Sequence, residues 1–89
     1  MAMRQCIRLL RQFADGHLAL TEFERRYWPE RSRCLHAGGA VTQSQLEAAQ
    51  DFEQDLSRYV PDPLPQIQEV EERELRRRAL RALRAIRAA

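Results

Sequence analysis

Three prolines on alternate positions, Pro61, Pro63 and Pro65, divide this chain. Each ring removes a backbone N–H and turns the residue before it away from helical backbone, so neither a helix nor a paired strand can run through 60–65. The stretches on either side must fold as separate elements joined by a short extended connection. The whole chain has 89 residues, and a chain of that size buries roughly 60% of the surface it exposes when unfolded. That suffices for one core, so residues 1–89 form a single domain. A deep cleft between two lobes does not fit, and a large multi-step enzyme is excluded.

Three apolar stripes precede the prolines. Met3, Cys6, Ile7, Leu10, Phe13 and Ala14 recur at the spacing of one helix face, with Arg4, Arg8 and Arg11 opposite, and Asp15-Gly16 ends that helix. Thr21 and Glu24 form a capping box that opens a second helix through Phe23, Tyr27, Cys34 and Leu35, which Gly38-Gly39 closes. Inside it, Pro29 deletes the bond to the Arg25 carbonyl and predicts a kink or a split. Ser44 and Glu47 form a further capping box, before a third stripe of Leu46, Ala49, Phe52, Leu56, Tyr59 and Val60. Beyond the prolines, Leu75, Ala79, Ala82, Leu83 and Ile86 mark a fourth helix that starts between Gln66 and Glu71. No alternating strand pattern competes. The expected fold is all-α: an antiparallel four-helix bundle whose second helix is kinked near Pro29.

Arg4 and Arg8 interrupt what would be the apolar stretch of a signal peptide, and no run reaches the roughly 18 apolar residues of a membrane span, so a cytoplasmic protein without membrane contact is expected. Cys6 and Cys34 are too few for a disulfide framework. Cys34 and His36 stand two apart on a helix and diverge, and Cys6 lies on a core stripe, so neither a metal nor another cofactor is expected. His17 and His36 lie near glycine turns without a nucleophile signature, and no Gly-rich phosphate loop occurs. The expectation is a protein that is not an enzyme and has no small-molecule substrate.

Charge is distributed unevenly. Residues 1–39 carry seven arginines against four acids, 40–75 two against nine, and 76–89 six against none, so a net charge of +2 conceals local values of +3, −7 and +6. All fifteen basic residues are arginine, which codon usage explains as readily as function. On the third helix Glu47, Asp51 and Asp55 fall in one line facing away from the apolar stripe. Like charges four apart oppose each other by roughly 0.2–0.5 kcal/mol per pair, and only Arg58 is placed to relieve one of them. Such a line is either an ordinary solvated face or a patch held ready for a cationic partner, since carboxylates so spaced imitate a phosphate backbone. Asp62 extends it past the helix end, and Glu53 adds to it. Tyr59 is a candidate aromatic anchor.

The arginines of the fourth helix complement its dipole, and Glu69–Arg73, Glu72–Arg76 and Glu74–Arg78 have acid-first spacing. Arg77, Arg81 and Arg84 remain unpaired, which suggests an alternative: a module binding RNA or an acidic partner through this helix. No aromatic residue is interleaved to stack on bases, which argues against nucleic acid. Trp28 packs a second helix face or anchors an interface, and Leu80 sits at a core edge.

Several segments resemble colicin D immunity proteins. They are Leu18-Ala-Leu-Thr-Glu-Phe-Glu-Arg-Arg-Tyr27 followed by Glu30-Arg-Ser-Arg33, then Asp51-Phe52 leading to Arg58-Tyr-Val-Pro-Asp62, and Glu74-Leu-Arg76 before an amphipathic terminal helix. The resemblance implies a helical bundle that binds the C-terminal nuclease domain of a bacteriocin or contact-dependent inhibition toxin, one that cleaves tRNA at the anticodon loop. It implies that acidic side chains cover the basic active site, with Asp51 and Asp62 at matching positions. Glu47, Glu53 and Asp55 join the expected toxin-binding set from helical geometry alone, and Tyr59 from its place at the helix end. The chain departs from the pattern in its net charge, the family being acidic overall.

Overall fold

The apolar stripes fold as helices. The computed structural model describes residues 4–36 and 42–88, with side chains at all of these except 34–36 and 88. In chain order the elements are α1 (Arg4–Ala14), α2 (Leu20–His36), α3 (Gln43–Arg58) and α4 (Pro65–Ala88), and no strand occurs among the described residues. Met3 and the closing glycines Gly38 and Gly39 lie outside the described residues, as do the side chains of Cys34, Leu35 and His36.

α1 buries Cys6, Leu9, Leu10 and Phe13. It stops in a Schellman turn: the Gly16 N–H bonds the Phe13 carbonyl at 3.1 Å and the His17 N–H bonds the Gln12 carbonyl at 2.9 Å. This turn needs a left-handed residue, and Gly16 has φ +81°.

Three helix starts differ from their sequence signals. α2 begins at Leu20, with the Phe23 N–H on the Ala19 carbonyl at 2.8 Å, so Thr21 lies inside the first turn and is not its cap. Leu20 is itself buried, which draws it into the helix, and the partly buried Glu24 does not turn back to a cap. α2 continues through Pro29 to His36, so the proline does not split it. At α3 the cap is Thr42: its Oγ1 accepts the Gln45 N–H at 3.1 Å and the Gln45 Oε1 accepts the Thr42 N–H at 3.2 Å, so the box at Ser44 and Glu47 is not used. Gln45 also donates through Nε2 to the Ile86 carbonyl at 3.2 Å, and that contact with α4 favours the earlier box. α4 starts at Pro65, where a missing N–H costs nothing. The Leu64 carbonyl takes its first bonds, and Asp62 Oδ1 accepts the Leu64 N–H at 2.8 Å, which fixes the turn before the helix.

The core is aromatic at its centre. Phe13 stacks on Phe23 at 4.7 Å between ring centroids, Phe23 on Tyr27 at 5.0 Å, and Phe52 meets Phe23 edge-on at 6.1 Å, which joins α1, α2 and α3. From α4, Leu75, Ala79, Ala82, Leu83 and Ile86 close it. Arg76, expected to pair with Glu72, instead lies over the Phe13 ring at 4.6 Å and donates to the Phe13 and Leu18 carbonyls at 2.5 and 3.1 Å. It thus ties α4 to the Schellman turn and to the connection between α1 and α2, adding a charged donor to the Phe13 carbonyl that Gly16 already bonds.

Candidate functional site

α3 turns Ala49, Phe52 and Leu56 into the core, which leaves Glu47, Asp51 and Asp55 on its other side as the spacing predicts. These three acids line a groove of about 610 Å³ between α3 and α4 together with Arg78, Arg81 and Glu74, and the buried Phe52 and Ala82 also line it. The acids are not equivalent. Glu47 Oε1 accepts from Gln43 Nε2 at 3.2 Å, and Asp55 is paired with Arg78 of α4 at 3.1 Å. Arg78 also reaches Glu74 at 3.5 Å. Asp51 is exposed and has no ion pair or hydrogen bond among the described residues. The charge that relieves the line therefore comes from α4, whereas Arg58, the expected source, forms no ion pair among the described residues. Sequence spacing within one helix cannot show a partner from another.

Glu53 stands apart from this face. Its carboxylate accepts from the Tyr27 hydroxyl at 2.6 Å and from Arg31 Nε at 2.5 Å, and the Arg31 and Glu53 side chains are only 7% and 13% exposed. Glu53 is one residue from Phe52, so it flanks the core stripe and points to α2, where it is held by the fold. Burial, then the adjoining Glu53 carboxylate, pushes the Tyr27 phenol far above its usual range. The signal for this network was present in the sequence: Arg31 continues the Phe23–Tyr27 stripe at a step of four, and a charge on a core stripe requires a buried partner.

Tyr59 packs against the core edge at the end of α3, with its hydroxyl buried and without a hydrogen-bond partner. Burial raises its pKa first, and the carboxylates of Glu72, Glu71, Asp62 and Glu24 raise it further. The ring thus marks where acids from α2, α4 and the proline-rich connection converge. Asp62, half-buried, is engaged in its turn with Leu64. Trp28 is 37% exposed, with its ring edge-on to Tyr27 at 5.5 Å.

The basic residues divide differently from the sequence expectation. Arg77, expected to be unpaired, meets Glu74 at 3.3 Å, and Arg73 meets Glu69 at 3.6 Å. Arg4, Arg8, Arg11 and Arg87 line a separate concavity of about 470 Å³, and none of the four has an ion pair among the described residues. Among the described residues no group of His, Cys, Asp and Glu is placed to hold a metal ion, and no helix is long and apolar enough to cross a membrane. Compared with known proteins, the chain matches no family model, no curated protein and no solved structure.

Proposed function

We propose that this is an immunity protein of the colicin D type, a cytoplasmic binder that neutralises a cognate toxin by covering the basic active site of its tRNA-cleaving nuclease domain. The observation that carries the reading is the exposed acidic row of α3, with Asp51 uncompensated at its middle, which helix stability does not require. A rigid acidic face meeting a basic cleft needs no chemistry of its own: charge steers the encounter and a desolvated centre slows release. The order of sequence segments from Leu18 to Arg76 supports the same reading. In it the helices form an antiparallel bundle with α2 bent at Pro29; the contact of Gln45 with Ile86 and that of Asp55 with Arg78 support the antiparallel run of α3 and α4.

Co-expression with a candidate toxin domain tests it. Protection and a co-eluting complex are expected, and Glu47→Arg with Asp51→Arg abolishes both while leaving the melting temperature nearly unchanged. Asp62→Asn, which keeps the turn and removes the charge, weakens protection in part. Absence of protection and of a complex with every toxin encoded beside the gene overturns the reading.

A second reading is favoured by one observation, the four arginines left without acids around the α1–α4 concavity. It places a phosphate-binding surface there, away from the α4 arginines that the sequence singled out. Titration of labelled tRNA over a salt series decides: affinity must fall steeply with salt and depend on Arg8 and Arg11.

A further inference from the structure

The first ten residues of α4, Pro65 to Glu74, contribute no buried side chain; the helix enters the core at Leu75. Leu64, just before the helix, and Ile67 and Val70 within it step by three and form one ridge, about 9 Å long at the helical rise. They are 55%, 42% and 60% exposed, and Val60 on the preceding connection is 77% exposed. Four large apolar groups exposed between residues 60 and 70 on a chain this small are not explained by folding.

Their surroundings say what would cover them. Residues 59–74 carry five carboxylates, Asp62, Glu69, Glu71, Glu72 and Glu74, against the single Arg73. A second copy laid ridge to ridge would set these acids against each other. A second copy presenting its own basic half of α4 would offer mainly arginines, because Ala79, Ala82, Leu83 and Ile86 are buried in its core. Neither of these two faces supplies apolar groups inside a cationic rim, and the arginine-lined concavity of α1 and α4 offers only the partly buried Ile7. Val60, Glu71 and Glu74 also line a groove with Asp55 and Arg78, and Asp55, Glu74 and Arg78 line the α3–α4 groove as well, so Val60 and the acidic half of α4 that carries the ridge adjoin the acidic face.

We propose that the Leu64–Ile67–Val70 ridge, with Val60, is a docking surface for a different protein that presents apolar side chains within a basic rim. It extends the preceding reading, on which it rests for the partner's identity: the acids of α3 steer a cationic domain, and the ridge holds it by apolar contact. Its chemistry is tested without that partner. The probe is an amphipathic helical peptide of leucine and lysine, about 18 residues long so that it can form helix, titrated into the isotope-labelled full chain and followed by amide chemical shifts. The largest shifts are expected over residues 60–74, and Leu64→Ser with Val70→Ser weakens binding about tenfold with far-UV circular dichroism unchanged. Glu47→Gln with Asp51→Asn leaves the ridge shifts in place. Equal shifts with a leucine–glutamate peptide, no shifts at the ridge, loss of the ridge shifts in the α3 variant, or a dimer that the ridge substitutions dissociate would each overturn the proposal. Failure of the immunity reading is seen separately, as absent protection in the co-expression assay.

Discussion

Arg31 follows Phe23 and Tyr27 at steps of four, so a guanidinium enters the core face of α2 and must be answered there. Glu53 answers it at 2.5 Å and also accepts the Tyr27 hydroxyl. Removing one partner of a buried pair leaves an uncompensated charge, which costs about 3–5 kcal/mol. Glu53→Leu is therefore expected to lower the melting temperature by more than about 12 °C, at the 4–8 °C per kcal/mol usual for a domain of this size. Arg31→Met combined with Glu53→Gln removes both charges and keeps an acceptor for Tyr27, so it should recover most of that loss in urea denaturation. The tyrosine supplies a pH test. Its folded pKa is raised above the unfolded value, so its stabilising effect is complete below about pH 10 and is lost as pH rises further, when only the unfolded chain ionises. Stability should then fall by about 1.4 kcal/mol per pH unit, and Tyr27→Phe should flatten that fall in denaturation series across the alkaline range.

Helix ends show what a sequence can and cannot disclose. The stripes at Cys6–Phe13, Phe23–Tyr27, Ala49–Leu56 and Leu75–Ile86 were legible because burial imposes the helical period, and each is buried in the structure. The starts were less legible. Thr21–Glu24, Thr42–Gln45 and Ser44–Glu47 all have the spacing of a capping box, and only the second is used, because Gln45 has a tertiary partner in Ile86 that the others lack. Thr42→Ala should accordingly cost about 1 kcal/mol, whereas Ser44→Ala should stay within about 0.5 kcal/mol; thermal melts of the two separate the alternatives. The same limit governed the acidic line of α3. Its direction away from the core followed from spacing, but that Arg78 on α4 would neutralise Asp55 and leave Glu47 and Asp51 without a cation depended on a contact between helices. Arg78→Ala should leave stability within about 1 kcal/mol, as exposed pairs do, while raising the association rate of a cationic partner in stopped-flow measurements.

Across the whole molecule, charge is sorted. Acids gather on α3, the proline-rich connection and the first half of α4, where arginines of α4 pair with Glu69 and Glu74 within the helix and Arg78 and Arg31 reach Asp55 and Glu53 from other helices; Arg4, Arg8, Arg11 and Arg87 form a cluster with no such compensation among the described residues. Arg4 also stands at the start of α1, whose first turn holds no acid, so it opposes the helix dipole as well as its neighbours. Each like pair at helical spacing costs roughly 0.2–0.5 kcal/mol, and the dipole term adds a similar amount. Exposed ion pairs elsewhere contribute little and are screened together with these repulsions. The two effects pull a salt titration in opposite directions, and the uncompensated cluster should prevail because its members have no favourable contact to lose. Raising sodium chloride from low concentration to about 0.3 M, where the screening length is below 10 Å, should increase the melting temperature by a few degrees. Arg8→Gln should raise the low-salt value and reduce the increment, since it removes the arginine that lies between Arg4 and Arg11. A melting temperature that falls with salt would mean that the ion pairs among Glu22, Arg25, Arg26, Asp55, Glu74 and Arg78 hold the fold more firmly than exposed pairs ordinarily do.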